Sequence, residues 1–238
     1  MSVFKQGDCI IYNADMRDVM PALGECADLI MTDPPYRLTS GGKDTGEMGG
    51  CFSHGEYDNS GSIVECDIDW PDFIPLLYGS LRGDSHAYIM ANNRNVQPML
   101  NEAEKSGFRF HNLCVWDKGT ATPNRWYMKN LEFVGFFYKG TAKHINDCGS
   151  KQLIYVQQED YGNHPTTKPV GLMEYYISNS STQGQTVCDP FCGTASTAIA
   201  ALRSGRKFIG VESDKRWFGV ACDRVMRFLD GPKQASLI

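Results

Sequence analysis

The chain has 238 residues, 42% hydrophobic and 21% charged, with 24 Gly and 11 Pro. That balance excludes wholesale disorder and a collagen-like fibre, and the length suits one large domain better than two. The formal net charge of −5 argues against a nucleic-acid binder when taken whole, but residues 94–151 carry 9 Lys/Arg against 5 Asp/Glu while residues 1–93 carry 5 against 15.

Apolar runs over 9–13, 27–31, 86–91, 113–116, 132–138, 186–188 and 207–211 read as buried strands. Helical patterns fall between them, over 16–23, 70–81, 95–105, 170–178, 195–204 and 216–229. Strands alternating with helices predict an α/β fold, a mostly parallel sheet with helices on both faces, in a single domain over 1–238. The stretch 39–63 breaks the rhythm. It is rich in Gly and Ser, with Asp and Asn among them, and has no apolar period, so it reads as a flexible loop of the kind that covers active sites.

No apolar run approaches the ~20 residues of a membrane helix, and Met1–Asp8 lacks the basic-then-apolar pattern of a secretion signal. Nine Cys, an odd count with no C-x-x-C pair, speak against a disulfide framework or a four-ligand zinc site. The expectation is a cytoplasmic protein with neither metal nor membrane. Cys51 and His54 form a lone C-x-x-H, which reads as ordinary loop.

Two clusters carry chemistry. Asp33-Pro34-Pro35-Tyr36 follows directly on a strand. Two consecutive prolines stop strand pairing and hold an extended turn, placing a carboxylate and an aromatic ring at a strand's carboxyl end. A fixed carboxylate with fixed carbonyls accepts hydrogen bonds from an amino group, and a ring beside it can stack on a planar base. A packed turn with a solvated Asp fits the same four residues. The second cluster, Asp189 to Thr197, follows a short strand and opens a small-residue helix. Gly193 allows close backbone approach, yet the G-K-[ST] ending of a phosphate loop is missing. A later strand ends at Glu212, an acid that can accept the hydroxyls of a ribose or serve as a surface cap. A nucleoside cofactor without pyrophosphate satisfies both observations.

These residues resemble the amino-group DNA methyltransferases that use S-adenosylmethionine. Asp33-Pro34-Pro35-Tyr36 resembles their catalytic motif, and Asp189-Pro190-Phe191-Cys192-Gly193-Thr194-Ala195 their cofactor loop, which often ends in Gly where Ala195 stands. His164-Pro165-Thr166-Thr167-Lys168-Pro169 is similar to the H-P-x-x-K-P segment before that loop, and Asp15 to the acid placed near the cofactor adenine. Glu132 resembles the acid of a family segment near the active site. The order, catalytic motif first and cofactor loop last, is similar to the permuted β group and to its small phage-type members. The resemblance implies a Rossmann-like class I methyltransferase fold and S-adenosylmethionine as cofactor. It implies catalytic roles for Asp33, Pro34, Pro35 and Tyr36. Asp15, His164, Thr167, Lys168, Asp189, Phe191, Gly193, Thr194 and Glu212 would bind the cofactor.

The implied reaction is methylation of adenine N6 in double-stranded DNA with the base flipped out, by a monomer or a homodimer. N4-cytosine methylation uses the same geometry, and a DNA-binding module without catalysis is the alternative of another class. Little room remains for a large target-reading domain, so a small DNA-contacting insertion is expected within about 94–163. Cations interleave with aromatics there, and Trp116, Lys118, Arg125, Trp126 and Lys129 are the candidate DNA contacts. Arg125 and Lys129 also have the spacing of a solvated helix face, and Trp116 that of a buried strand residue.

Overall fold

The computed structural model describes residues 1–35, 67–122, 127–158 and 167–231, for 120 and 122 the backbone alone. Among the described residues nine strands form one sheet: β1 (Ser2–Gln6), β2 (Cys9–Asn13), β3 (Ala27–Thr32), β4 (Leu81–Ala91), β5 (Arg109–Thr122), β6 (Lys129–Lys139), β7 (Leu153–Tyr155), β8 (Thr186–Asp189) and β9 (Lys207–Glu212). Six helices accompany them among these residues: α1 (Met16–Leu23), α2 (Trp70–Ser80), α3 (Val96–Lys105), α4 (Val170–Ser180), α5 (Ser196–Arg203) and α6 (Lys215–Asp230).

The helices begin where the sequence supplies caps. Asp15 and Asp214 accept backbone N–H groups of α1 and α6, and Asp69 and Asp72 form a reciprocal capping box at α2, which has Pro71 in its first turn. The strand order is β1-β2-β9-β8-β3-β4-β6-β5-β7. From β2 through β4 all neighbours are parallel, while β6 runs antiparallel to both β4 and β5. The expected parallel core is therefore present, and a long antiparallel hairpin extends it.

Strand alternation divides the core into two layers. Leu29, Met31, Tyr88, Met90, Val134 and Val187 face the layer that contains buried residues of α4, α5 and α6. Ile30, Ala87, Ile89 and Cys188 face the layer of α1, α2 and α3. Helices thus cover both faces.

The connectivity places the site. The chain passes from β3 to β4 in one direction across the sheet and from β8 to β9 in the other. Strands β3 and β8 are neighbours, so a crevice opens at their carboxyl ends, where open α/β sheets bind ligands. Thr32 and Asp189 are the last residues of these two strands.

Candidate active site

The Thr32 hydroxyl donates to Asp189 Oδ1 at 2.7 Å, tying the two strand ends together. The same oxygen accepts the Phe191 N–H at 3.1 Å, and Thr197 Oγ1 donates to Asp189 Oδ2 at 2.6 Å. Burial pushes the Asp189 carboxyl up to about 6, against the pull of these hydrogen bonds. Its carboxylate is therefore turned inward, and it anchors the loop that follows.

That loop rises as Pro190 to Ala195. Gly193 has φ +50°, and a Cβ built on it would meet nothing within 4 Å. The backbone there is open to an approaching ligand. Ala195 closes the turn at φ 67° before α5 begins. The Ala for Gly exchange is therefore not conformationally neutral, since left-handed backbone costs a non-glycine residue about 1 kcal/mol. Arg224 of α6, buried, donates to the Thr194 carbonyl at 3.1 Å and to Ser196 Oγ at 3.0 Å, holding the loop from behind. Thr167, also buried, brings its hydroxyl to 3.5 Å from that of Thr194. Phe191 is half-buried, edge-on to Phe73 with ring centroids 5.1 Å apart.

Glu212 ends β9 beside the loop. Its Oε2 accepts the Gly193 N–H at 3.0 Å and its Oε1 the Asp214 N–H at 2.8 Å. Burial raises this carboxyl, and the backbone donors oppose the rise. A carboxylate offers about four acceptor positions, so a pinned Glu212 can still accept hydroxyl donors. Asn13, at the end of β2, donates to the Glu212 carbonyl at 2.8 Å. Asp15 lies just beyond, caps α1 and pairs with Arg17 through both oxygens, which holds its carboxyl below the usual range.

On the other side of the crevice stands Asp33. Its Oδ2 accepts Lys168 Nζ at 2.5 Å, while Oδ1 is buried with no hydrogen-bond partner among the described residues. The Lys168 ammonium also lies 3.4 Å from Glu132 Oε2, and Lys118 Nζ lies 3.5 Å from Glu132 Oε1. Burial raises the Asp33 carboxyl, with Lys168 opposing, and the paired carboxylates hold Lys168 protonated above its ordinary range. Pro34 is buried and Pro35 exposed.

The candidate residues thus divide. Asp15, Glu212, the 189–195 loop and Asp33 line successive strand ends of one sheet edge, in the order β2, β9, β8, β3. Lys168, expected beside the cofactor, places its ammonium on Asp33. Trp116 is corrected as a DNA contact: it is fully buried, and its indole N–H donates to the Val156 carbonyl at 2.8 Å, so no ring face is left for a base. Lys118 is half-buried and its ammonium is engaged by Glu132 at 3.5 Å. Lys129 opens strand β6 opposite Thr122 and is therefore on a strand, not on a helix face. Tyr36, Arg125, Trp126, His164, the 39–63 loop and the Cys51/His54 pair lie outside the described residues.

Two participants escape a reading of the sequence. Thr32 and Arg224 carry no motif, whereas Glu132 is marked by resemblance. Thr32's position directly before Asp33 at a strand end is the available signal. Among the described residues, no cluster of side chains is suited to holding a metal and no helix is long and apolar enough to cross a membrane.

A family model described as DNA methylase matches residues 27–221. The type II methyltransferase M2.DpnII of Streptococcus pneumoniae is 28% identical over 222 residues, covering 84% of this chain and 83% of its own. The crystal structure of the M1.HpyAVI–SAM complex superposes with a TM-score of 0.69 at 24% identity, over 90% of this chain and 98% of that one. The cytosine-N4-specific PvuII DNA methyltransferase gives 0.68 at 17% identity, over 96% and 95%. These two structures establish the shared class I methyltransferase fold. With most of its length matched by the family model, and its motif residues gathered along one sheet edge, the chain belongs to the DNA methylase family.

Proposed function

We propose that this protein transfers a methyl group from S-adenosylmethionine to the N6 amino group of adenine in double-stranded DNA. The observation that carries the reading is Asp33: a half-buried carboxylate fixed through Oδ2, with Oδ1 buried and without a hydrogen-bond partner among the described residues. A desolvated acceptor of this kind suits an exocyclic amino group that must be aligned for reaction.

The residues at the other strand ends fit the cofactor. Gly193 leaves open space, Glu212 offers pinned acceptor oxygens for ribose hydroxyls, and Phe191 presents an apolar ring. No phosphate cradle is needed. The linear order Asp15, Glu212, Gly193, Asp33 along the sheet edge matches an extended molecule with its adenine at one end and its reactive centre toward Asp33. When bound, S-adenosylmethionine supplies an electrophilic methyl group on a sulfonium. The M1.HpyAVI neighbour was crystallised with that cofactor.

Asp33 Oδ1 and the Pro34 carbonyl would accept the two amino N–H bonds. That draws the nitrogen lone pair out of ring conjugation and aims it across the crevice. Tyr36, next along the motif, would stack on the base after it leaves the duplex. Asp33 favours adenine over cytosine, since within the family that this chain resembles the cytosine group more often has Ser at that position. The similarity to type II methyltransferases supports a role in DNA modification.

The test is Asp33→Ala. Methyl transfer to DNA from cells lacking the modification should be lost, while calorimetry shows cofactor binding retained. Turnover near the wild-type rate would refute the role of Asp33.

A further inference from the structure

We propose that Lys168 and Glu132 are positioning residues of methyl transfer: the Lys168 ammonium, shared between two carboxylates, fixes Asp33 through Oδ2 and leaves Oδ1 as the acceptor shown to the amino group. This inference rests on the functional reading above and extends it to residues beyond the Asp-Pro-Pro-Tyr motif.

Strand alternation explains how the three meet. Asp33 lies two residues after Met31, and Glu132 two residues before Val134. Met31 and Val134 both face the layer containing α4, so Asp33 and Glu132 project to that same face. Lys168 stands two residues before α4 begins at Val170 and so enters over that face. Lys118 lies two residues after Trp116, which pairs with Glu132 across the hairpin. The result is a chain of alternating charge: Lys118, Glu132, Lys168, Asp33, with successive separations of 3.5, 3.4 and 2.5 Å.

A simple structural ion pair would be expected to satisfy both partners. Here Lys168 is 8% exposed and bridges two carboxylates, yet Asp33 Oδ1 is buried without a hydrogen-bond partner among the described residues, and Glu132 Oε2 has only its 3.4 Å ion pair with Lys168. The second carboxylate has a consequence for chemistry. Glu132 shares the ammonium from 3.4 Å, so that Asp33, paired with it at 2.5 Å, is neutralised only in part and keeps acceptor strength at Oδ1. Lys118 balances Glu132, which lets the whole chain sit in a poorly hydrated place without net charge. Among the described residues, the charged groups that act on Asp33 are Lys168 from the turn before α4, Glu132 from β6 and Asp189 from β8, with Lys118 of β5 behind Glu132.

The experiment reads the pH dependence of single-turnover methyl transfer. The modified site is first identified by modified-base sequencing of DNA from expressing cells, and a duplex carrying it is the substrate. In the wild type the rate rises with pH as Asp33 ionises. Lys168→Met removes the stabilising cation, so the rising limb should move upward by about 1–3 pH units and the rate at neutral pH should fall at least tenfold. Glu132→Gln removes the competing anion, so the limb should move downward. Lys168→Arg keeps the charge and should restore most of the wild-type limb. Cofactor affinity, measured by calorimetry, should be unchanged in all three. Opposite displacements by Lys168→Met and Glu132→Gln are a signature that a merely structural role would not give.

The inference is overturned if the limb stays fixed in both variants, if both move it the same way, or if Lys168→Met instead loses cofactor binding with the limb unmoved. Should Lys168→Met not fold, Glu132→Gln decides alone, a downward limb supporting the inference and a fixed or upward one refuting it. A wild-type protein with no methyl transfer at all would refute the functional reading, and this inference with it.

Discussion

Replacing Asp189 by Asn should stabilise the protein at neutral pH and lose that advantage in acid. Asp189 is buried at the crevice, 3% exposed, and accepts hydrogen bonds from Thr32, Thr197 and Phe191. An Asn carbonyl oxygen at the Oδ1 position can keep the Thr32 and Phe191 bonds, and its amide can donate to a rotated Thr197 hydroxyl. What Asn removes is the buried negative charge. The folded-state carboxyl titrates at about 6 against an ordinary 3.8, so between those values the folded protein holds a proton that the unfolded chain has lost. Wild-type stability therefore falls as pH rises from about 4 to about 6 on account of this group. At about 1.4 kcal/mol for each tenfold change in proton affinity, the loss amounts to about 3 kcal/mol. The neutral amide of the Asp189→Asn variant carries no such penalty. Urea unfolding of both proteins at several pH values measures the difference directly. The advantage of Asp189→Asn over wild type should grow by about 3 kcal/mol between acid and neutral pH and then level off. A difference independent of pH, or one that shrinks as pH rises, would refute the reasoning.

Gly193→Ala should lower stability by about 1 kcal/mol, because φ +50° is left-handed, and should weaken cofactor binding at least tenfold in calorimetry because the methyl group occupies the open space before the loop. Replacing Arg125 and Lys129 together by Ala should weaken binding to all DNA sequences alike and reduce the log–log salt slope by about one to two, near 0.9 for each lost phosphate contact. An unchanged slope would place the DNA on another surface.

Much of this architecture is legible in the sequence because it is local. The helices over 16–23 and 70–80 follow from apolar spacing and from Asp15, Asp69 and Asp72 as caps. The strands of the parallel core follow from their apolar runs. Strand β1 does not announce itself, since Ser2–Gln6 is a largely exposed edge whose pairing with β2 supplies its order. Strands β5 and β6 extend well past their apolar centres because the hairpin ladder carries polar residues such as Asp117 and Asn130. The antiparallel turn of β6 is a matter of topology, which periodicity does not encode.

The site divides in the same way. Asp33, Asp189 and Glu212 are readable as acids at strand ends, a position with a known meaning in α/β sheets. The contact between Lys168 and Asp33 spans 135 residues of sequence and depends on the order in which strands assemble. Arg224 looks like one more charge on a helix, and only packing shows it buried behind Thr194. Trp116 misleads because an aromatic near lysines is compatible with both a base platform and a strand core. Its full burial decides for the core.

The central claim is that an ordered acceptor at Asp33 directs methyl transfer to adenine N6. Nucleoside analysis by mass spectrometry tests it most directly, on DNA from cells that lack endogenous adenine and cytosine methylation and express either the wild type or Asp33→Ala. N6-methyladenine should appear with the wild type and be absent with Asp33→Ala. N4-methylcytosine in its place, or methylated adenine that persists with Asp33→Ala, would contradict the account.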